Sequence, residues 1–306
     1  MTKKARLIYN PVSGHEQMPK NVADILDILE RAGYEASAYR TTPEKNSAKS
    51  EATRAAEEGF DLIVAAGGDG TINEVVNGIA FLEDRPKMAI IPAGTTNDYA
   101  RALGIPRDDI KGAAEVILKN KCRKMDIGKA VFGEKEQYFV NIAASGSLTE
   151  LTYGVPSEIK SALGYAAYLI KGAEMLPHLS ENKMRLTFDE GVYEGKLSMF
   201  LLGMTNSIGG FEQIMPDAQL SDGLFQLIVV KPADPGNLLK LMALALNGRH
   251  VDDPNIIYTK TRSLKAELIG SSKGNDLPVN LDGEIGGYCP VTLENLQQHI
   301  EFYVGA

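Results

Sequence analysis

The chain of 306 residues contains no tryptophan, two cysteines and four histidines. Cys122 and Cys289 form no CxxC or CxxH pattern, so neither a disulfide framework nor a thiolate metal site is expected. His15, His178, His250 and His299 are scattered, without the spacing of a zinc motif. Long apolar runs are missing too. Leu238–Leu246 has Lys240 inside it, and nothing approaches the roughly 18 residues needed to span a bilayer. After Lys3, Lys4 and Arg6 the apolar run Leu7-Ile8-Tyr9 stops at Asn10-Pro11, which fits no secretory signal. A soluble cytoplasmic protein is the expectation. There is no surplus of basic charge: 32 Lys and Arg face 40 Asp and Glu, a net −8. A nucleic-acid partner needs a basic footprint and is set aside. At 44% hydrophobic and 24% charged the composition is globular, and the length suits two domains of about 150 residues.

What is present first is strand–helix alternation. Ala5–Asn10 is an apolar strand candidate, and Val22, Ile25, Leu26 and Leu29 recur at helical spacing up to Gly33. Ala36–Arg40 reads as a strand and Ser47–Glu58 as a helix. Leu62–Ala66 is a short buried strand, and Ile72, Val75, Val76 and Ile79 form a helical face ending near Gly78. Met88–Ile91 is another strand. This alternation predicts an α/β domain, a parallel sheet with helices on both faces, over residues 1–128. After that the texture changes. Met184–Phe188, Leu197–Met204, Leu224–Val230, Arg262–Leu268 and Val279–Leu281 look like strands joined by Gly, Asp and Asn turns. Helices are expected at Ser157–Met175 and from Asp234-Pro235 to Gly248. The region 129–295 reads as a mainly antiparallel β domain.

Three loops carry chemistry. Gly67-Gly68-Asp69-Gly70 links a strand to a helix, an arrangement that aims amides and a helix N-terminus at a phosphate. It is neither a Walker loop nor a GxGxxG dinucleotide turn. Asp69 is an anion inside an anion cradle, which makes sense if it reaches a metal or activates a hydroxyl. The bland alternative is a capping box, Thr71-Ile72-Asn73-Glu74, which Asp69 helps to cap. Asn10-Pro11-Val12-Ser13-Gly14 and Gly94-Thr95-Thr96-Asn97-Asp98 likewise follow strands. All three leave the carboxyl ends of parallel strands, where open α/β sheets bind ligands. Their convergence points to a nucleotide.

Asn-Pro-x-Ser-Gly, Gly-Gly-Asp-Gly-Thr-x-Asn-Glu and Pro-x-Gly-Thr-x-Asn-Asp, in this order, resemble the diacylglycerol kinase catalytic-domain family, which includes ceramide and sphingosine kinases and soluble bacterial lipid kinases. The resemblance extends over the chain to Leu281-Asp282-Gly283-Glu284. It implies an ATP- and Mg²⁺-dependent kinase that phosphorylates the free hydroxyl of diacylglycerol to phosphatidic acid. It implies ATP contacts from Asn10, Pro11, Val12, Ser13, Gly14, Thr41, Gly68, Asp69, Gly70, Thr71, Ile72, Asn73, Glu74 and Thr95, with Thr42 a rival to Thr41. Asp69 would hold the catalytic Mg²⁺ through water, in a network with Asp98 and Asp126. Without the family, Asp126 reads as a solvated turn residue.

In the second domain the resemblance points to Glu284 as proton acceptor, with Asp282 as rival. If the tetrapeptide is extended, the two carboxylates share a face; otherwise it is a DG turn. The resemblance also implies that Gln219, Asp222 and Leu224 hold a structural metal through one carboxylate and two carbonyls, oxygen ligation that suits Mg²⁺ or Ca²⁺; without it, Ser221-Asp222-Gly223 reads as a turn. The last strand, around His299–Val304, would return to the first domain, with the boundary near 296. The chemistry is expected between the two domains. The partner is a lipid at the inner membrane surface, reached transiently. The expected Ser157–Met175 helix carries Tyr165, Tyr168, Lys160 and Lys171, which suit an interface but suit a core helix as well. Asn206–Phe211 could line the lipid cleft or be a hairpin loop. The resemblance leaves room for a homodimer. Rival readings are a kinase for phosphatidylglycerol or a sphingoid base, an NAD kinase, and a nucleotide-dependent lipid sensor without turnover.

Overall fold

The computed structural model describes residues 2–13, 17–94, 97–146, 181–206, 213–270 and 277–305. The helix expected over 157–175 and the stretch 207–211 lie outside them, as do Gly14 and Thr95. The chain divides into two compact units, residues 1–127 with 297–306, and residues 128–296.

The first unit is an α/β layer structure. Strands β1 (Lys3–Tyr9), β2 (Tyr34–Arg40), β3 (Leu62–Gly67) and β4 (Lys87–Pro92) pair in parallel in the order β2-β1-β3-β4. β3 is buried at every position, so both of its faces are covered, which is why it reads as a continuous apolar run. Helix α1 (Met18–Arg31) packs beside α5 (Ile110–Glu115), and α2 (Ser47–Glu57) beside α3 (Asp69–Ile79). The short helix α4 (Asp98–Ala102) follows β4. α1 buries Ile25, Ile28 and Leu29, one stripe of an amphipathic helix.

α3 ends at Ile79, beside Gly78 as expected, and Gly78 is its last residue but one. A Cβ there would sit 2.5 Å from the Lys49 carbonyl of α2, so the glycine serves the close approach of two helices. An ion cluster ties α2 to β1: the Glu51 carboxylate, 6% exposed, meets Arg6 Nε at 2.5 Å and Arg54 Nη2 at 2.7 Å. Burial pushes this carboxyl upward, but the two guanidinium groups outweigh it and hold it below the usual carboxylate range.

The second unit is a β-sandwich. One sheet runs β12-β11-β10-β7-β14-β15, all antiparallel: Ile256–Thr261, Phe225–Val230, Met199–Gly203, Ile142–Gly146, Pro278–Leu281 and Glu284–Tyr288. Facing it are β8 (Asn182–Phe188), β9 (Gly191–Leu197) and β13 (Ser263–Leu268), with β5 (Cys122–Phe132), β6 (Lys135–Phe139) and the first part of β16 (Val291–Tyr303). β5 and β16 each continue into the first unit, where the end of β16 pairs in parallel with β4 through Phe302 and Met88.

Strand alternation builds two cores at once. Phe225, Leu227 and Val229 of β11 face the sandwich interior with Phe200, Leu202 and Leu186. Ile228 and Val230 face the other side, where Leu238 and Leu241 of α6 (Pro235–Ala245) cover them. Asp234 caps α6 by accepting from Asn237 N–H at 3.1 Å, with proline in the first turn, as the Asp-Pro pair foretells. The single strand expected over Leu197–Met204 is two, because the chain breaks at Ser198 between β9 and β10. β9, with Glu194 and Lys196 exposed on a hairpin, carries too little apolar signal to be read from sequence.

Candidate active site: a loop edge and a carboxylate hairpin

In the first unit, four loops are aligned by hydrogen bonds that prolong the strand ladder at its carboxyl edge. Thr41 N–H donates to Tyr9 O at 3.0 Å, Asn10 N–H to Ala66 O at 2.9 Å, and Ala93 N–H to Gly67 O at 2.9 Å. The order β2-β1-β3 means that the chain leaves β1 toward one side for β2 and returns on the other for β3. That makes the edge between β1 and β3 a topological switch point, the place where open α/β sheets take ligands. The loops after β1 and β3 open there.

The loop after β1 is held by its own asparagine: Asn10 Oδ1 accepts from Val12 N–H at 3.1 Å, and Val12 is 69% exposed. Thr41 is buried after β2, whereas Thr42 is exposed and spent on the turn into α2, its N–H donating to Ser47 Oγ. Gly68 is the N-cap of α3, and half-buried Asp69 is the first helical residue, near the positive end of the helix. Gly68 and Gly94 meet backbone to backbone: a Cβ on Gly94 would lie 2.7 Å from Gly68 Cα. Asn97 wraps the second loop, its Oδ1 accepting from Gly94 N–H and its Nδ2 donating to Gly94 O, both at 2.8 Å. Asn97 takes a left-handed φ of 49° and leads into Asp98, which is 5% exposed at the start of α4.

Two readings of this region change. The capping box does not form, because α3 begins at Asp69 and Thr71 is already inside it, buried. The Glu74 carboxylate reaches α2 instead, accepting from Ala48 N–H at 2.9 Å and Asn46 N–H at 3.2 Å. An anion at the amides of a helix N-terminus is favourable, so Glu74 locks α2 against α3, and its side chain is committed there. Asp126 is no solvated turn residue. It is fully buried in β5 and accepts from Gln298 N–H at 2.7 Å, a partner brought by the returning β16.

In the second unit, Leu281 and Glu284 pair across a two-residue hairpin loop, so the tetrapeptide is a turn and not an extended segment. Asp282 and Gly283 both have positive φ, 51° and 100°, as tight primed hairpin turns require. Glu284 stands exposed at the start of β15. Asp282 turns the other way. Its Oδ2 accepts from Val140 N–H at 2.7 Å, and its Oδ1 from Asn141 and Ile142 N–H at 2.8 and 2.9 Å. The two carboxylates therefore have different surroundings, and the amides of Val140–Ile142 were not foreseen from sequence.

In the loop before β11, Gln219 is exposed and Asp222 half-buried. Asp222 Oδ1 accepts from Leu224 N–H at 3.0 Å across Gly223, which has φ 78°. Among the described residues no group of three or more His, Cys, Asp or Glu side chains is placed to hold a metal. A metal in this loop would rest on one carboxylate and backbone carbonyls, a donor set that the loop contains and that suits a hard cation. Among the described residues no helix is long and apolar enough to cross a membrane.

The matches to known proteins follow this division. Residues 4–130 match the model of the diacylglycerol kinase catalytic domain, and residues 154–304 that of the YegS C-terminal NAD kinase beta sandwich-like domain. A diacylglycerol kinase of Bacillus subtilis (strain 168) is 47% identical over 97% of this chain and 95% of its own length. One from Staphylococcus aureus (strain MRSA252) is 47% identical over 99% and 93%. The chain belongs to the diacylglycerol kinase catalytic-domain family. Crystal structures agree: one from Bacillus anthracis str. Sterne superposes with a TM-score of 0.83 at 29% identity, covering 99% of this chain and 96% of that one. Another from the same strain, described as a diacylglycerol kinase, gives 0.75 at 25% identity over 99% and 97%. Membership of a kinase family implies ATP use and a lipid acceptor.

Proposed function

We propose that this chain is a diacylglycerol kinase that transfers the γ-phosphoryl group of ATP to the free hydroxyl of diacylglycerol, giving phosphatidic acid and ADP. The observation that carries the reading is the meeting of the Asn10, Gly68 and Gly94 loops at one edge of a parallel sheet, in a chain of this family. Loops of that kind present backbone N–H groups to phosphate oxygens, and the start of α3 adds the positive end of a helix. Thr41 and the loop residues Asn10–Ser13 flank the same edge, with Gly14 and Thr95 assigned by motif.

Phosphoryl transfer needs positioning and charge stabilisation more than covalent chemistry. Asp69, with Asp98 and Asp126, would hold Mg²⁺ through water, and the ion would supply positive charge against the negative charge developing on the phosphoryl group. Glu284, exposed and free of the backbone contacts that occupy Asp282, takes the proton from the lipid hydroxyl as it attacks. Gln219, Asp222 and Leu224 hold a second, structural cation. The enzyme docks transiently on the inner membrane surface, and sizing by light scattering tests whether it assembles as a homodimer.

The decisive experiment follows label from γ-labelled ATP into diacylglycerol, with and without Mg²⁺. Asp69→Ala and Glu284→Ala should each lower the rate by about 10²–10⁴-fold, the usual contribution of a positioned proton acceptor or charge stabiliser. Transfer that survives both substitutions removes the mechanism. Phosphatidylglycerol and a sphingoid base in parallel arms test the acceptor, and a faster rate with either replaces diacylglycerol.

A further inference from the structure

We infer that Asp282 is a positioning residue that acts on the protein backbone, and not the proton acceptor or a group that touches the lipid hydroxyl. The inference rests on the assignment of Glu284 as the base. Asp282 occupies the first position of the β14–β15 turn. Its own N–H donates to Ile142 O at 3.0 Å, extending the ladder in which Leu281 pairs with Ala143. Its carboxylate then closes on the next three amides, Val140, Asn141 and Ile142, at 2.7 to 2.9 Å. A carboxylate that accepts three N–H bonds is stabilised as an anion and has its lone pairs engaged, which makes it a poor proton carrier. Gly283 N–H donates to Asn280 Oδ1 at 2.9 Å, so the turn is tied on its other side as well.

The clamp does not end at the hairpin. Asn141 O accepts from Met204 N–H at 3.1 Å, and Asn141 Oδ1 accepts from the hydroxyl of Thr205, itself 2% exposed. Asp282 thus joins three segments distant in sequence: the β6–β7 connection, the end of β10 and the hairpin. Glu284 lies two residues beyond this junction and is exposed, so its placement depends on the turn that Asp282 fixes. A displacement of about 1 Å of a reacting group can cost about 10²-fold in rate.

A turn preference alone would also select Asp here, since Asp, Asn and Gly all tolerate the left-handed region. Three substitutions separate the roles. Asp282→Gly keeps the turn and removes the clamp; Asp282→Asn keeps the shape and one accepting oxygen but sets an NH₂ against an N–H donor; Glu284→Gln removes the base and leaves the clamp. Hydrogen exchange of the peptide covering 140–142 should accelerate in Asp282→Gly, partly in Asp282→Asn, and not in Glu284→Gln. For the rate, Asp282→Gly should lose about 10²-fold in kcat, with Asp282→Asn between it and the parent. Both Asp282 variants should retain the acid limb of the pH–rate profile, and Glu284→Gln should lose it.

Unchanged exchange at 140–142 in Asp282→Gly overturns the clamp. An acid limb lost in Asp282→Asn and kept in Glu284→Gln overturns the positioning role and makes Asp282 the base. If Glu284→Gln keeps full activity, the base assignment falls, while the exchange measurement still decides the clamp.

Discussion

In the first unit the candidate site is built from backbone. The loops after β1, β3 and β4 are shaped by Asn10 and Asn97 bonding to nearby main chain, and by two glycines whose α-carbons nearly touch. In the second unit the site is built from side chains: an exposed glutamate on a hairpin, and an aspartate that grips three amides of a neighbouring connection. The difference fits the proposed ligands. Phosphate oxygens accept hydrogen bonds, so amides brought close are enough, and any Cβ in the way is costly. An alcohol must lose a proton, so a carboxylate is required, and the fold must decide which carboxylate stays free. The two halves should therefore fail differently under substitution.

The largest effect on ATP binding should come from Gly94→Ala. The added Cβ would meet Gly68 Cα at 2.7 Å and Asn97 Oδ1 at 2.8 Å, and main chain cannot swing aside as a side-chain tip can. The two loops must separate, costing about 1–3 kcal/mol of stability by overpacking. The KM for ATP should rise at least about tenfold, the result of about 1.4 kcal/mol of lost binding. Asp282→Gly, by contrast, should leave the KM for ATP near that of the parent and lower kcat. Titration with ATP and denaturant melts on both variants check this. Equal effects on ATP binding would erase the contrast between a backbone site and a side-chain site.

Glu74 sharpens the same contrast inside the first unit. It belongs to the Gly-Gly-Asp-Gly-Thr-x-Asn-Glu motif, yet its carboxylate is taken by the amides that open α2. Glu74→Gln should cost about 0.5–1 kcal/mol by weakening the charge at that helix end. ATP affinity should stay unchanged, because the Glu74 carboxylate is engaged by the amides of α2. A fall in ATP affinity with no loss of stability would reassign Glu74 as a direct contact.

How far the sequence carried the reading depends on distance along the chain. β3, the Gly68–Asp69 turn and α3 were legible because strand, turn and helix signals sit within eighteen consecutive residues. The Asp-Pro cap of α6 was legible for the same reason. The clamp of Asp282 on Val140 was not, since 142 positions separate the partners and neither carries a local signal. Asp126 was misread without the family because its partner, Gln298, returns from the far end of the chain. Glu74 was misread as capping its own helix because a capping box is a local pattern, and the amides it meets belong to another helix. The packing role of Gly78 was not legible, because sequence shows the glycine but not the Lys49 carbonyl pressed against it.

The smallest expected effect compares one histidine from each unit under acid. His299 Nε2 lies 2.7 Å from Ala80 O in the first unit, and His250 Nε2 lies 3.0 Å from Ile214 O in the second. Burial is the main cause that lowers both imidazoles from their usual range; Arg85 adds to it at His299, while Asp252 opposes it at His250. A lowered value in the folded state means that the unfolded chain takes the proton first. The stabilising contribution is therefore full above about pH 6.5, the ordinary value. It is lost as pH falls from there through the folded value, at no more than about 1.4 kcal/mol per pH unit for each group. His299→Gln should reduce acid sensitivity in the first unit alone, and His250→Gln in the second alone, because glutamine can still donate to each carbonyl. Hydrogen exchange resolved by unit at pH 7 and pH 5.5 measures this directly. If His299→Gln desensitises both units equally, the two do not lose stability independently, and the contrast drawn between them holds for their sites but not for their unfolding.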